Sequence, residues 1–542
     1  MCSGGVLSIH WRRASGDRAA LARSIRGVRR TPISALACAA LVLGAGAGPV
    51  YAGGRALSLE PLGRHAPARI AAHRGPSVSA VLLSLERSGS IPEAAHAQYY
   101  SAYVTAKHSL ARLRGTRAVE LGAVLSNVQM MASTGQLSAS RLPAVFLTLE
   151  RNTQWWTSEP LLSSSERLSF PSSKLVWEYY PGQGIEIQWL ATFGRANGFF
   201  LSGHENANLR QLLGEAIPLA SKRAGGIAWE YLFRFDGGVP PWTSGLSQGT
   251  GLQVLARAWQ RFKEPVYLTA AQQALGVFQT PPAQGVRVGT AARAMYAEYT
   301  YAPRDRILNG FIQALVGLYD YAAITKDPLG LQLFEAGDAQ ARAEVPHFDT
   351  GAWSLYDQFG ESNLNYHELL AEFLQHLCER TGKGLPFTPA SSPPPPPATT
   401  TAPAPAGGTP GSGGAPAAVT TGATPLPPTS PAIAADLIYC TTAQRFSADL
   451  HTPPAIALLS KTLRGGSRAG VQVSLSKIST VGLTIRKGTR VVWTNRATVA
   501  AGKPKLLWVT PAAGGTFSVT LSAADLAGNF STAIGTIVVT RH

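Results

Sequence analysis

The stretch RAMYAEYTYAPRDRILNGFIQALVGLYDYA, residues 293–322, joins a crowd of phenols to an amphipathic helix. Three tyrosines and one glutamate fall within residues 296–301, and an apolar stripe follows at helical spacing from Ile307 to Ala322. A second crowd, HFDTGAWSLYDQFGESNLNYHELLAEFLQHLCERTG, begins at residue 347 and also runs into a helical pattern. The chain therefore places tyrosine hydroxyls and a carboxylate next to predicted helix starts.

Similar helical patterns recur from about residue 77 to residue 385. GLQVLARAWQRF, residues 251–262, is apolar at helical spacing, and Pro265 suits the first turn of the following helix. Successive helical hairpins joined by long aromatic loops favour an α/α toroid, in which the loops at one rim line a groove. We therefore predict a mainly α domain of toroid type over residues 77–385.

Composition divides the rest of the chain. Residues 386–432 are rich in Pro, Thr, Ala and Gly and lack the apolar content of a core, so they form a predicted linker. After it, short alternating segments such as GVQVSLSK and GTFSVTLSA predict an all-β sandwich over residues 433–542. The ending TFSVTLSAADLAGNFS resembles bacterial immunoglobulin-like or fibronectin-type repeats.

The first 52 residues have the pattern of a secretory signal peptide. A basic stretch precedes an apolar core, and Val50-Tyr51-Ala52 fits a cleavage site after Ala52. The apolar run is short and broken by glycines, which argues against a membrane span. We expect residues 1–52 to be removed, residues 53–76 to be an extended N-terminal segment, and the protein to be secreted or held at the cell surface.

The net charge of +17 is uneven along the chain. From residue 433 onward twelve Lys and Arg face three Asp, whereas the middle of the chain is nearly neutral. The C-terminal module is thus the part best suited to hold a polyanion, such as a cell-wall glycan or the substrate itself. Export and the absence of a zinc-finger or RNP1 motif argue against nucleic acid. No HxxxH, HExxH, CxxC, Walker or nucleophile-elbow motif is present, so we predict neither metal nor cofactor.

The tyrosine crowds have two interpretations. The tyrosines either pack against helix ends or take part in proton transfer. Glu298 and Tyr299 lie on the loop before one helix, Tyr356 follows a turn-like FDTG, and Tyr366 opens the last helix. A phenol at a helix N-terminus has its anion stabilised by the macrodipole, which predicts a lowered pKa for Tyr366.

These blocks resemble the C-terminal catalytic domain of D-glucuronyl C5-epimerases, which convert glucuronate to iduronate within heparan-type chains. The resemblance rests on YAEYTYAPRDRILNGFIQALVGLYDYA, VPHFDTGAWSLYD and LNYHELL, in that order, and on WTSGLSQGTGLQVLARAW, which contains Gln248. It covers residues 220–380 well and residues 175–220 loosely.

The resemblance implies a carbanion mechanism. A base removes the C5 proton and an acid returns one from the opposite face of the sugar. By position, the family's catalytic residues match Glu298, Tyr299, Tyr356 and Tyr366. Glu298 and Tyr366 are the expected opposed pair, with Tyr299 and Tyr356 as support or alternates.

Substrate contacts are expected from Asn309 and Gln248, which match the family's LNGF and glutamine-glycine positions. The family's substrate-binding arginine is missing, because this chain reads YDQFGES at that place. Arg306 or Arg304 is a candidate replacement, although capping or a solvated charge explains each more simply. In WEYYPGQGIEIQW, the aromatic residues Trp177, Tyr179, Tyr180 and Trp189 either stack on sugars or are buried around a glycine turn.

The chain is therefore expected to be a uronate C5-epimerase acting on a heparosan-like glycan. Two alternatives remain, a uronate lyase that abstracts the same proton and a non-catalytic glycan-binding protein. A tethered C-terminal module predicts that deletion of residues 386–542 spares turnover on short oligosaccharides. The sequence leaves open a homodimer and whether Cys378 and Cys440 pair.

Overall fold

The computed structural model describes residues 75–387 and 437–541, together with the backbone of Val50–Ala52 (β1) and Arg55–Leu57 (β2), which pair antiparallel. The predicted signal peptide, apart from β1, most of the segment 53–76 and nearly all of the linker 386–432 lie outside the described residues. Within the described ranges, helices precede a β-rich region, as the sequence predicts. No described helix has the length and apolarity needed to span a membrane.

The described helices run as follows: α1 Val78–Arg87, α2 Glu93–Arg112, α3 Gly115–Ser133, α4 Leu142–Ser158, α5 Trp189–Ser202, α6 Asn206–Ala216, α7 Gly245–Phe262, α8 Pro265–Ala274, α9 Gly276–Gln279, α10 Leu308–Thr325, α11 Pro328–Glu344, α12 Leu364–Thr381 and α13 Ile438–Asp449. Between them lie three short antiparallel sheets. One has three strands, β3 Arg167–Leu168, β4 Trp177–Tyr180 and β5 Gly184–Ile187, and the other two are the pairs β6 Ser221–Arg223 with β7 Gly226–Ala228 and β8 Arg287–Gly289 with β9 Ala294–Tyr296.

Helices α7 and α10 lie parallel and very close together. A Cβ atom on Gly317 would lie 2.1 Å from the carbonyl oxygen of Gly249, and one on Gly249 would lie 2.7 Å from the Cα of Ala314. Further along both helices Arg257 Nη2 donates to Asp320 Oδ2 at 2.9 Å. Contacts thus advance in the same direction on the two helices, and glycine is required because any side chain would separate them.

Helix α5 continues this parallel arrangement on one side of α7. Phe193 packs against Gly251, where a Cβ would lie 2.9 Å from the ring, and Asn197 donates to Gln253 at 3.0 Å. On the far side, α12 packs against α10, and Arg380 forms two hydrogen bonds with Asp320 at 2.6 and 2.8 Å near the C-terminal ends. The N-termini of α5, α7, α10 and α12 therefore gather at one end of the helical layer.

Helices α8 and α11 run back antiparallel against this layer. On α11, a Cβ on Gly330 would meet Tyr321, and one on Gly337 would meet Leu315, so the contacts advance in opposite directions on α10 and α11. The loops before α8 and α11 are each two residues long. These are the helical hairpins that the sequence pattern predicts.

Residues 438–449 form α13 and belong to the helical core, which corrects the predicted domain start at residue 433. Tyr439 and Phe446 are fully buried in the same apolar cluster as the helices, and Cys440 forms a disulfide with Cys378 of α12. The apolar residues of this segment repeat at helical rather than strand spacing. Deletion of residues 386–542 would therefore remove part of the helical core, contrary to the expectation of a separable module.

The β-domain, residues 455–541, consists of two sheets over one apolar core. Its strands are β10 Ile456–Leu458, β11 Thr462–Arg464, β12 Arg468–Leu475, β13 Ser479–Lys487, β14 Arg490–Val499, β15 Lys505–Val509, β16 Gly515–Asp525 and β17 Phe530–Thr540. One sheet has the order β10-β12-β15 and the other β11-β17-β16-β13-β14. Val473 and Trp508 of the first sheet share a buried cluster with Leu483 and Val519 of the second, which makes a sandwich.

The disulfide predicts a measurable contribution to stability. The cross-link closes a chain segment with a sequence separation of 62 residues. In the chain-entropy account its loss costs about 4 kcal/mol of unfolding free energy. The double variant Cys378→Ser, Cys440→Ser should unfold at a clearly lower urea concentration than the oxidised protein. Reduced wild-type protein is the control and should unfold like the variant, whereas equal midpoints in all three samples would contradict the prediction.

Candidate functional site

The predicted catalytic residues lie at the end of the molecule where the parallel helices begin. Glu298 and Tyr299 follow β9 on the loop that leads into α10, and the backbone N–H of Gly245, at the start of α7, donates to Ala297 on that loop. Tyr366 lies in the first turn of α12, where Asn363 caps the helix by accepting from the Tyr366 N–H at 3.0 Å.

The Glu298 carboxylate is set against the first turn of α10. A Cβ on Gly310 would lie 2.4 Å from Glu298 Oε2, so only glycine leaves room for the carboxylate there. That oxygen is shielded from solvent and has no hydrogen-bond partner among the residues that the structure describes. Burial raises the pKa of Glu298 to about 7, while a hydrogen bond from Tyr299 acts in the opposite direction. The group is thus poised to take or give a proton near neutrality.

Tyr299, Tyr356 and Tyr366 surround this carboxylate. The ring centres of Tyr356 and Tyr366 lie 4.7 Å apart, and the charge of Glu298 raises the pKa of both phenols. Hydrogen bonding also couples Tyr299 to Tyr356 and Tyr356 to Tyr366. Together with Glu298 these residues form one interacting group, which we call the acid–tyrosine cluster.

All three phenols of the cluster are held protonated. Burial, followed by the charge of Glu298, raises the pKa of Tyr366 to about 12 and those of Tyr299 and Tyr356 well above their usual value. The lowered pKa predicted for Tyr366 from the helix dipole is therefore wrong. Desolvation and a neighbouring carboxylate outweigh the dipole, which acts on a partly buried phenol in the first turn.

An aromatic wall extends from the cluster. Tyr299 lies 5.3 Å from Tyr301 and 5.7 Å from Trp242, and Trp242 stacks on Tyr231 at 4.3 Å. Tyr180 continues the wall, 4.5 Å from Phe233. Tyr180 is partly exposed, and its hydroxyl accepts from the Gln188 amide at 2.8 Å. Its substrate contact stays a prediction.

The other aromatic residues of the β4–β5 hairpin and of the start of α5 are core residues. Trp177, Tyr179 and Trp189 are between 1% and 5% exposed, so they do not face a substrate. Gly182 and Gly184, with φ of 77° and 89°, make the turn between the strands. Of the two alternatives that the sequence left open, stacking on sugars or burial, these three residues are buried.

Gln248 is not a substrate ligand in this structure, which corrects its prediction. It is fully buried, its amide nitrogen donates to the carbonyls of Ile227 and Ala274 at 3.1 and 3.2 Å, and its oxygen accepts from Trp229 at 3.4 Å. A buried amide with these partners ties α7 to the neighbouring segments. The glutamine-glycine pattern alone does not distinguish such a role from binding.

Asn309 lies beside the cluster but is also buried. Its side-chain oxygen accepts from the backbone N–H of Gly310 at 2.8 Å, in the turn that supports Glu298. Arg306 forms an ion pair with Glu344, and its own backbone N–H donates to Gln358 at 2.9 Å. The charge of Arg306 is thus compensated away from the cluster.

A charged pair missed in the sequence lies near Tyr366 and Tyr180. Arg167 of β3 binds Glu178 of β4 at 3.0 Å, and about 30% of the Arg167 side chain is exposed. Glu178 is buried and contributes to the raised pKa values of Tyr366 and Tyr180, whereas Arg167 lowers that of Tyr180. Strand β3 has only two residues, which is too short for a recognisable strand pattern. The sequence therefore could not predict that Arg167 lies near Tyr180 and Tyr366.

His367 follows Tyr366 but faces the core. It is fully buried, stacks on Trp353 at 3.6 Å, and its Nε2 contacts the Phe446 carbonyl of α13 at 2.9 Å. Burial lowers the pKa of His367 to about 4, so the ring is neutral at physiological pH. A neutral ring donates through Nε2 and accepts through Nδ1 from Ser354, at 3.1 Å from its backbone N–H.

Comparison with known proteins connects this site to one family. The sequence model described as D-glucuronyl C5-epimerase C-terminus matches residues 224–386. A D-glucuronyl C5-epimerase of Caenorhabditis elegans is 33% identical over 131 residues, which are 22% of this chain and 21% of the relative. An uncharacterized protein of Methanocaldococcus jannaschii is 27% identical over 176 residues, 31% of this chain and 57% of the relative. The matched stretches thus span less than two thirds of either relative.

The raised pKa of Glu298 predicts a specific titration. The carbon-13 signal of its carboxyl, assigned by its loss in Glu298→Gln, should titrate with a midpoint near 7. Tyr299→Phe removes the hydrogen bond that favours the carboxylate, so the midpoint should rise further. Because the folded state retains a proton that the unfolded state releases, this group's contribution to stability is full below about pH 4.5. That contribution is lost as the pH rises through 7.

Tyr103→Phe, a substitution on α2, is the matched control and should leave the Glu298 midpoint unchanged. A wild-type midpoint near 4.5, or a lower midpoint in Tyr299→Phe, would contradict this electrostatic account.

Proposed function

We propose that the chain, whose residues 224–386 match the sequence model of the D-glucuronyl C5-epimerase C-terminus, is a uronate C5-epimerase that converts D-glucuronate to L-iduronate within a heparosan-like polysaccharide. The observation that carries the proposal is the acid–tyrosine cluster. A carboxyl group with a pKa near 7 lies among phenols that keep their protons. Neighbouring groups with widely separated pKa values supply a base and an acid at the same pH.

The proposed reaction is two proton transfers at C5. Glu298, as carboxylate, takes the C5 proton, and the electron pair of the C–H bond moves into the uronate carboxylate. Tyr366 then donates its hydroxyl proton to C5 from the opposite face, which inverts the centre. Tyr356, which hydrogen-bonds with Tyr366, passes a proton to the phenolate and is reprotonated from solvent, while Glu298 releases the abstracted proton to solvent. The hydrogen bond from Tyr299 stabilises the carboxylate form of Glu298.

The uronate carboxylate must be neutralised for its C5 proton to become acidic, and Arg167 is our proposed partner. Arg167 lies beside Glu178, whose charge raises the pKa of Tyr366, and the partly exposed Arg167 side chain is accessible from solvent. The N-termini of α5, α7, α10 and α12 add their positive dipole ends at the same place. An anionic sugar is therefore favoured over a neutral one.

The finer architecture follows the same proposal. We propose that the alternating parallel and antiparallel helices close into an α/α toroid around the substrate groove, with Tyr180, Asn309 and the aromatic wall along it. The β-domain is proposed to be immunoglobulin-like, and its basic surface to attract the anionic polymer or a cell-wall glycan. Secretion by way of residues 1–52 would place the enzyme where such polymers occur.

The direct test is incubation of the protein with heparosan in heavy water. Proton abstraction and return predict deuterium at C5 and new iduronate signals by NMR, without ultraviolet absorbance from unsaturated ends. Tyr366→Phe should reduce incorporation at least about a hundredfold, as expected for loss of a proton-transfer group. Rising absorbance would instead identify a lyase, and neither signal across several uronate polymers would support glycan binding without catalysis.

Arg167 has its own prediction. Arg167→Met should lower kcat/KM for the polymer by roughly tenfold to a hundredfold, because a charge-assisted hydrogen bond contributes about 1.5–3 kcal/mol. Arg306→Met is the matched control, because the ion-pair partner of Arg167 is Glu178, whose charge acts on Tyr366, whereas Arg306 is paired with Glu344 at the end of α11. Its kcat/KM should stay within about threefold of wild type by the usual cost of a surface ion pair. A larger loss in Arg306→Met would assign the carboxylate to that residue.

A further inference from the structure

The loop that carries Tyr356 is fastened to the β-domain. Glu361, 8% exposed, accepts the backbone N–H of Ile478 at Oε1 at 3.0 Å and that of Ala501 at Oε2 at 2.7 Å. Ile478 precedes β13 and Ala501 follows β14, so one carboxylate satisfies two backbone donors at adjacent ends of the sandwich. Charge-assisted bonds of this kind are among the strongest available to a loop.

This anchor is connected directly to Tyr356. Leu355 and Glu361 form a β-bridge, and the Tyr356 N–H donates to the Gly360 carbonyl at 2.9 Å. Asp357 accepts from the backbone of Phe359 and Gly360 at 2.8 and 3.0 Å, which closes the tight turn between them. A displacement of Glu361 would therefore reach Tyr356 through a short loop that these hydrogen bonds hold in shape.

A second anchor reaches the helix that carries Tyr366. Lys477, next to Ile478, is 1% exposed, binds Asp525 at 2.9 Å, and lies 5.1 Å from the centre of the Trp353 ring. Trp353 stacks on His367, which adjoins Tyr366 in the first turn of α12. Neighbouring residues of the β-domain, Lys477 and Ile478, thus contact residues that hold Tyr356 and Tyr366 in place.

From these contacts we propose that the β-domain is a working part of the active site, and that Glu361 is a positioning residue that holds Tyr356 in its place beside Tyr366. A removable binding module would not contact the active-site loops in this way. Here the end of the β-domain that carries Lys477, Ile478 and Ala501 packs against the helical region. The inference rests on the proposed function for its kinetic consequence alone. The placement of Tyr356 by Glu361 stands on the contacts themselves.

The test uses full-length Glu361→Gln, which preserves shape but presents one N–H₂ group where a carboxylate oxygen accepts. We expect kcat for C5 exchange to fall roughly tenfold to a hundredfold, the cost of a misplaced catalytic group, with KM within about twofold. The Tyr356 ring signal, followed by NMR with labelled tyrosine and assigned by Tyr356→Phe, should shift. Glu361→Asp, one methylene shorter, should show the same changes more weakly and serves if the amide variant folds poorly.

The matched control is Glu215→Gln. Glu215 of α6 also accepts a backbone N–H, that of Lys174 at 3.0 Å, but it lies away from the cluster. The Glu215→Gln variant should have a lower thermal stability than wild type, but an unchanged Tyr356 signal and unchanged kcat and KM. A wild-type kcat and an unshifted Tyr356 signal in Glu361→Gln would overturn the inference. If wild-type protein shows no C5 exchange, the proposed function fails, and the Tyr356 signal still decides the positioning role.

Discussion

The burial of the Glu298 carboxylate against the first turn of α10 is the constraint on which the site depends. Gly310 leaves the space for the carboxylate, and the close glycine packing of α7 against α10 sets the position of that turn. Without desolvation, Glu298 would be a carboxylate of ordinary acidity and a weak base at C5. With it, the pKa of Glu298 comes to about 7, and the same carboxylate keeps the neighbouring phenols protonated. One packing arrangement therefore sets both members of the proposed acid–base pair.

The parallel direction of α5, α7, α10 and α12 extends this constraint to the whole site. Parallel helices bring four N-termini together. The loop before α10 carries Glu298 and Tyr299, and the first turn of α12 carries Tyr366. At the opposite ends, Asp320 joins Arg257 and Arg380, which ties the helices at the place where their negative dipole ends meet. The arginines thus lie at the C-terminal ends of the helices, and the proposed site for an anionic substrate lies at their N-terminal ends.

Much of this arrangement is local and could be predicted from sequence. Helical periodicity, the helix start near Tyr366 and the proximity of Tyr299 to Glu298 follow from short-range patterns. The grouping of Tyr356 and Tyr366 with Glu298 is expected only from the resemblance to the epimerase family. What could not be predicted depends on contacts distant in sequence. The membership of α13 in the helical core is set by Tyr439 and Cys440, the raised pKa of Tyr366 by its burial, and the burial of Gln248 by three backbone partners. The contacts from Glu361 to the β-domain span more than a hundred residues.

The central claim is that two different groups act on opposite faces of C5. It is tested most directly by a single turnover in ordinary water on a glucuronate polymer that carries deuterium at C5. If Glu298 takes the deuteron and Tyr366 supplies a separate proton, the iduronate formed should carry protium at C5, while unreacted glucuronate keeps its deuterium. Iduronate that retains deuterium would show one group removing and returning the same hydrogen, which contradicts the account.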